Sequence, residues 1–181
     1  MTPAFSQAIL ALGDPRIDEA AIAAGVASAA WPGRFQRLTA GPLGLAAARR
    51  GADLWLDGGH NPHAGRALAA TCESLVARDG RSLALIVGML SRKDAAGFLQ
   101  PFAGLAPQVF TTAFDAESAM PASALAEAAR SVGLAVEPAD GVKAALDRAL
   151  DAPDAVPHVL VCGSLHFIGD ILAMSRATWP T

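Results

Sequence analysis

The sequence predicts an α/β fold, a mostly parallel sheet with helices on both faces. Short apolar runs alternate along the chain with amphipathic stretches of helical period, the pattern of a sheet built from strand–helix units. Runs such as residues 83–87 and 159–162 are apolar without a break, as strands covered on both faces require. The chain has 181 residues, enough for one domain with a sizeable core.

The elements follow in order. Residues 2–12 form a short, helix-like apolar segment, stopped by Gly13-Asp14-Pro15, which also caps the next helix. That helix spans roughly residues 15–29, with Ile17, Ala21, Ile22 and Val26 on one face, and Trp31-Pro32-Gly33 breaks it. Strand–helix alternation then begins: a strand at 53–57, a helix at 62–78, a strand at 83–87 and a short helix at 94–102. A strand at 108–111, a helix at 121–132 ended by Gly133, and a weak strand at 134–137 come next. A helix at 142–150, a strand at 159–162 and a last helix at 164–175 complete the pattern. The first thirty residues stand outside this alternation and read as a hinge or the end of a preceding domain.

Composition bounds the function. The chain is 52% hydrophobic, but alanine supplies much of this, and charged or breaking residues recur too often for a transmembrane helix. The N-terminus shows no secretory pattern. A net charge of -3 argues against nucleic acid or an anionic membrane as partner, since both need a concentrated basic face. Cys72 and Cys162 lack CxxC spacing and read as buried, reduced thiols of a cytoplasmic protein. There is no GxxxxGK[ST], no GxGxxG after a strand, no HExxH and no GxSxG, which sets aside four common enzyme classes for this chain alone. His63 and His158 have no partner at ligand spacing, so no metal ligand is assigned.

In a parallel sheet, ligands collect where strands end, and three loops qualify. Asp57-Gly58-Gly59-His60-Asn61-Pro62 leaves a strand and starts a helix, with Asn61 as N-cap and Pro62 at the first helical position. Such a start favours phosphate. Asp57 can accept hydrogen bonds from ribose hydroxyls or a metal-bound water, and His60 can donate to a phosphate oxygen. An ordinary Gly-rich turn with a capping Asn explains the local pattern equally well. The second loop, Gly88-Met89-Leu90-Ser91-Arg92-Lys93-Asp94, holds Lys93 near a helix start, where the dipole disfavours a cation. Binding a carboxylate or phosphate is one reason for it, and solvation is the other. In the third, Gly163-Ser164-Leu165-His166, Ser164 reads first as an N-cap and second as an anion contact. Arg34 follows the rigid Trp31-Pro32-Gly33 turn and has the planar fork suited to phosphate, though a lone surface arginine fits the spacing too.

Taken in order, Trp31-Pro32-Gly33-Arg34-Phe35-Gln36-Arg37-Leu38, Leu56-Asp57-Gly58-Gly59-His60-Asn61-Pro62, Gly88-Met89-Leu90 with Lys93-Asp94, and Gly163-Ser164-Leu165-His166-Phe167-Ile168-Gly169 resemble one family. It is the C-terminal domain of the folylpolyglutamate synthase/dihydrofolate synthase branch of the Mur ligase superfamily. The resemblance covers about residues 31–175, and it implies a Rossmann-like sheet of the Mur ligase C-terminal type. It makes residues 31–181 the ligase domain and residues 1–30 the end of a central ATPase domain. It further implies a ligase that uses MgATP to phosphorylate a carboxylate, after which the amine of L-glutamate attacks the acyl phosphate. The acceptor would be folate or dihydropteroate. Carried over, Arg34, Asp57, His60 and Asn61 would serve ATP, His60 being catalytic beside the acyl phosphate, while Lys93 and Ser164 would hold glutamate. His166 stands where the family commonly has an aromatic such as Tyr, so the resemblance gives it no role. The phosphate loop, the Mg²⁺ ligands and the family's modified lysine belong to domains preceding this one, and the chain alone is expected not to catalyse ligation. The remaining alternatives are a stand-alone, non-catalytic α/β binding module, and a lobe of a peptidoglycan-type ligase, which Gly58 disfavours.

Overall fold

A computed structural model describes residues 13–14, 17–28, 31–151 and 156–178. The segment expected to be helical at residues 2–12 lies outside them. The chain divides into two compact units, Met1–Pro32 and Gly33–Thr181. In the first, α1 (Glu19–Ser28) starts later than the expected position 15. Its start is set by Asp18, whose Oδ1 accepts from the Ala21 N–H at 2.7 Å.

The second unit is a six-stranded sheet flanked by helices. Its strands are β1 (Gln36–Arg37), β2 (Asp53–Asp57), β3 (Leu83–Val87), β4 (Gln108–Thr111), β5 (Val136–Pro138) and β6 (His158–Cys162), in the order β1-β2-β6-β3-β4-β5. β1 is antiparallel to β2, and all other pairs are parallel. The helices are α2 (Gly41–Arg49), α3 (Pro62–Asp79), α4 (Ala95–Leu99), α5 (Ala122–Ser131), α6 (Val142–Leu150) and α7 (Leu165–Ala173), with a 3₁₀ turn at Gln100–Leu105.

Side-chain alternation along the strands builds two cores. Leu54, Leu56, Ala84, Ile86, Val159 and Val161 meet α2, α6 and α7 on one face. Leu83, Leu85, Val87, Leu160 and Cys162 meet α3, α4 and α5 on the other. This is why β3 and β6 are buried at every position, and why β3 and the last four residues of β6 read as unbroken apolar runs.

The second unit departs from expectation in two regions. The expected helix at 94–102 is α only to Leu99 and continues as a 3₁₀ turn. Pro101 has no N–H to donate, so the α-helical bond it would make to the Gly97 carbonyl cannot form, although Gln100 before it keeps the right-handed α conformation. Residues 36–49 contain β1 and α2, which the local pattern did not announce.

The N-terminal edge of the sheet is closed by charge. Asp53, which opens β2, takes hydrogen bonds from Arg37 and Arg81. Arg81 also reaches Asp79 at 3.1 Å. The buried ring of His158, which opens β6, lies with Nε2 3.0 Å from Asp79 Oδ1. Burial pushes the Asp53 and Asp79 carboxyls up, but the bonds from Arg81, with those from Arg37 and His158 respectively, outweigh it and hold both below the usual range. No helix among the described residues is long and apolar enough to cross a membrane.

Candidate functional site at the strand carboxyl ends

The sheet order decides which loops meet. β6 lies between β2 and β3, and the register aligns Asp57 with Cys162 and Cys162 with Val87. The three loops flagged by the sequence therefore leave the sheet side by side and at one level, in the crevice where parallel sheets bind ligands. Gly163, at φ +110°, permits this closeness, because a Cβ there would stand 2.5 Å from the Gly88 carbonyl oxygen.

Asp57 is buried and organises the turn around it. Its Oδ2 accepts from the Phe35 N–H at 2.8 Å and its Oδ1 from the Gly59 N–H at 2.7 Å, which ties the segment before β1 to the one after β2. The Gly58 N–H donates to Gly33 O at 2.8 Å. The glycines of this turn thus use their N–H groups internally rather than as an open phosphate cradle. Gly58 also lies directly under two side chains. A Cβ there would come within 2.3 Å of Leu165 Cδ2 and 3.0 Å of the Arg34 guanidinium.

Arg34 is aimed by the backbone on both sides. Gly33 sits at φ +68° and Phe35 at φ +43°, a left-handed conformation that costs a non-glycine residue about 1 kcal/mol or more. Two contacts hold Phe35 there, its bond to Asp57 and a stack on Trp55 with ring centroids 4.8 Å apart. Arg34 Nη1 in turn donates to Gly33 O at 3.3 Å, which lays the guanidinium over the turn.

Asn61 caps α3, its Oδ1 accepting from the Ala64 N–H at 2.9 Å, with Pro62 following as expected. His60 Nδ1 lies 3.0 Å from Gly58 O. A carbonyl only accepts, so this contact places the proton on Nδ1. Nε2 is left as an acceptor in the neutral ring and becomes a donor only when the ring is protonated.

The second loop is held as a turn by Met120 N–H to Met89 O at 2.8 Å, Ser91 N–H to Ser118 O at 2.9 Å and Lys93 N–H to Leu90 O at 3.0 Å. Asp94 is occupied as the cap of α4, accepting from the Gly97 N–H at 2.8 Å. In the third loop the buried Ser164 caps α7, its Oγ accepting from the His166 N–H at 3.2 Å, and its hydroxyl proton remains to be donated.

Two cavities lie along this edge. One, of about 280 Å³, is lined by Arg34, Asp57, His60, Asn61 and the apolar first turns of α3. The other, of about 250 Å³, is lined by His60, Arg92, Lys93, Ser164 and His166, with no carboxylate in its wall. His60 belongs to both. The six residues singled out from the sequence thus fall into two neighbouring hollows that share one imidazole. Arg92 and His166 were not singled out as site residues, and adjacency to Lys93 and Ser164 was their only signal. Among the described residues no group of three or more His, Cys, Asp or Glu side chains could hold a metal ion.

The family described as "Mur ligase, glutamate ligase domain" matches residues 33–165. The chain is 33% identical over 165 residues to a probable bifunctional folylpolyglutamate synthase/dihydropteroate synthase of Haloferax volcanii, covering 91% of the chain and 18% of the relative. It is 32% identical over 161 residues to the dihydrofolate synthase/folylpolyglutamate synthase of Escherichia coli, covering 89% of the chain and 34% of the relative. The fold matches the crystal structure of the bifunctional folylpolyglutamate synthase/dihydrofolate synthase of Yersinia pestis complexed with AMPPNP and Mn, with a TM-score of 0.71 and 28% identity. That match covers 92% of this chain and 37% of that one. The chain therefore spans about a third or less of the length of each of these proteins.

Proposed function

The chain belongs to the Mur ligase glutamate ligase domain family, and from that premise we propose that it is the C-terminal lobe of an ATP-dependent ligase that adds L-glutamate to folate. The observation that carries this reading is the position of His60 in the wall of both cavities. An acyl phosphate has to meet ATP on one side and the incoming amine on the other, and His60 stands where the two hollows join.

In the first cavity Arg34 supplies a planar, permanently charged fork for phosphate oxygens, and the start of α3 adds positive partial charge. Asp57 keeps one acceptor position on each oxygen, enough for a ribose hydroxyl, while its backbone bonds hold the turn in shape. In the second cavity Lys93 and the Ser164 hydroxyl receive the carboxylates of glutamate. When the amine attacks the acyl carbon, the N–C bond forms and the C–O bond to phosphate breaks. The amine sheds a proton, and the neutral His60 Nε2 is free to take it. The lobe acts by positioning and charge rather than by covalent catalysis.

The phosphate loop and the Mg²⁺ ligands are assigned to a companion ATPase domain, of which residues 1–30 are the end, while residues 31–181 are the ligase domain. Mg²⁺ held there would neutralise phosphate charge. Folate, or dihydropteroate in a bifunctional enzyme, would bind mainly on that domain, and the chain by itself would not ligate. The test is glutamate-dependent phosphate release by the chain joined to such a domain, wild type against His60→Ala. A loss of about 100-fold or more in kcat is expected. An unchanged rate removes His60 from the reaction, and no release by the joined wild type refutes the assignment.

A further inference from the structure

We propose that Arg92 reads the side-chain carboxylate of the amino acid held in the second cavity, so that the site selects a dicarboxylic amino acid over its amide. The inference rests on the reading of that cavity as the amino-acid site and adds a residue and a selection rule to it.

The first support is the charge inventory of the wall. Its cations are Arg92 and Lys93, its other polar side chains are His60, Ser164 and His166, and it contains no Asp or Glu. The second is that neither cation has an ion-pair partner among the described residues; Arg34, Arg49, Arg66, Arg130 and Arg176 share that state, but only Arg92 and Lys93 do so together in the wall of one hollow. The nearest acid in sequence, Asp94, is occupied with capping α4. Two uncompensated cations facing one hollow repel each other, and a ligand bearing two negative groups relieves both.

The third support is rigidity. The turn that carries Arg92 and Lys93 is tied to Ser118 and Met120 on one side and closed on Leu90 within itself. Neighbouring residues on a fixed turn point in different directions, so the two cations form separate stations. Lys93 is the less exposed and Arg92 the more exposed of the pair. With the amine turned towards His60, the α-carboxylate falls to Lys93 and Ser164 at the inner end. The side-chain carboxylate reaches outward to Arg92, whose fork suits two parallel N–H···O bonds. Replacing that carboxylate by an amide turns a charge-assisted pair into a weak neutral contact and restores the repulsion between the cations. A preference of about 10-fold or more for the acid over the amide is expected.

The test uses the ¹⁵N-labelled chain titrated with L-glutamate and with L-glutamine, following the amide signals of Lys93, Gly163 and Ser164. In the wild type, glutamate should move these signals with at least about tenfold higher affinity than glutamine. Arg92→Gln should bring the two affinities together while the same signals still respond, and Arg92→Lys should keep part of the preference because it keeps the charge. Retention of the full preference in Arg92→Gln, or no preference in the wild type, overturns the role of Arg92 and leaves the cavity as the amino-acid site. If neither amino acid moves these signals, the reading of the cavity itself fails and the Arg92 proposal falls with it.

Discussion

Helices α3 and α4 touch through Gly65, and an alanine there should loosen both the fold and the site. A Cβ at this position would lie 2.2 Å from the Phe98 carbonyl oxygen, 3.0 Å from its carbon and 3.2 Å from Phe98 Cα. These are backbone atoms and cannot rotate away. Restoring an ordinary contact would require α3 and α4 to part by about 1 Å, given optimal separations near 3.5 Å. Overpacking of this kind costs about 1–3 kcal/mol, and the backbone obstacle argues for the upper end. The better helix propensity of alanine returns about 1 kcal/mol. A net loss of about 1–2 kcal/mol should lower the melting temperature by roughly 2–8 °C in a domain of this size. α3 begins at the His60–Asn61 turn and α4 begins after Lys93, so the same displacement would widen the second cavity. Thermal unfolding followed by circular dichroism reads the stability, with Gly104→Ala as control, since nothing lies within 4 Å of a Cβ there. Gly104→Ala should stay within about 0.5 kcal/mol of wild type. A Gly65→Ala variant that melts at or above wild type would refute the argument from close packing.

Two further outcomes follow from the charged and sulfur groups. Asp53 and Asp79 have folded pKa values held below the ordinary value. Their stabilisation is therefore fully present above the unfolded carboxylate range near about pH 4 and disappears as the pH falls through the folded values. Urea unfolding from pH 6 down to pH 3 should show falling stability, with a shallower fall in Asp53→Asn; equal slopes in the two proteins would contradict this network. Burial, with the charge of Asp57 added, pushes the Cys72 thiol up to about 12. Burial, with Cys72 and Asp57 nearby, pushes the Cys162 thiol well above its usual value. In the folded chain both should resist a thiol-specific disulfide reagent at pH 8 and react only on unfolding. Labelling of either thiol at the rate of a free cysteine would show that one of these sites is open.

The local pattern defined the elements wherever burial and period agreed. β3 and α6 lie at the positions read from the sequence, because an unbroken apolar run and a helical stripe each describe one element without reference to any other. α2 escaped for the opposite reason. Its opening Gly41-Pro42-Leu43-Gly44 reads as a turn by local chemistry. Gly44 is there because the helix folds back on the backbone just before it, where a Cβ would stand 2.9 Å from the Leu38 carbonyl oxygen. The 3₁₀ turn is not legible in the local pattern, which reads as helix through Pro101 to residue 102.

Local pattern was enough for the α/β class, for the strand exits that carry Asp57, His60, Asn61, Lys93 and Ser164, and for the rigid turn that carries Arg34. These depend on periodicity, capping and turn chemistry, which act over a few residues. It took the assembled sheet to show that β6 lies between β2 and β3, which sets Ser164 and Lys93 beside His60. The folded chain also shows that Asp57 holds the turn together and that His60 lies in both cavities with its Nδ1 proton committed to Gly58. It shows too that Arg92 faces the same hollow as Lys93. Strand order and the meeting of distant loops follow from how whole faces pack on one another, and no window of a few residues contains that information.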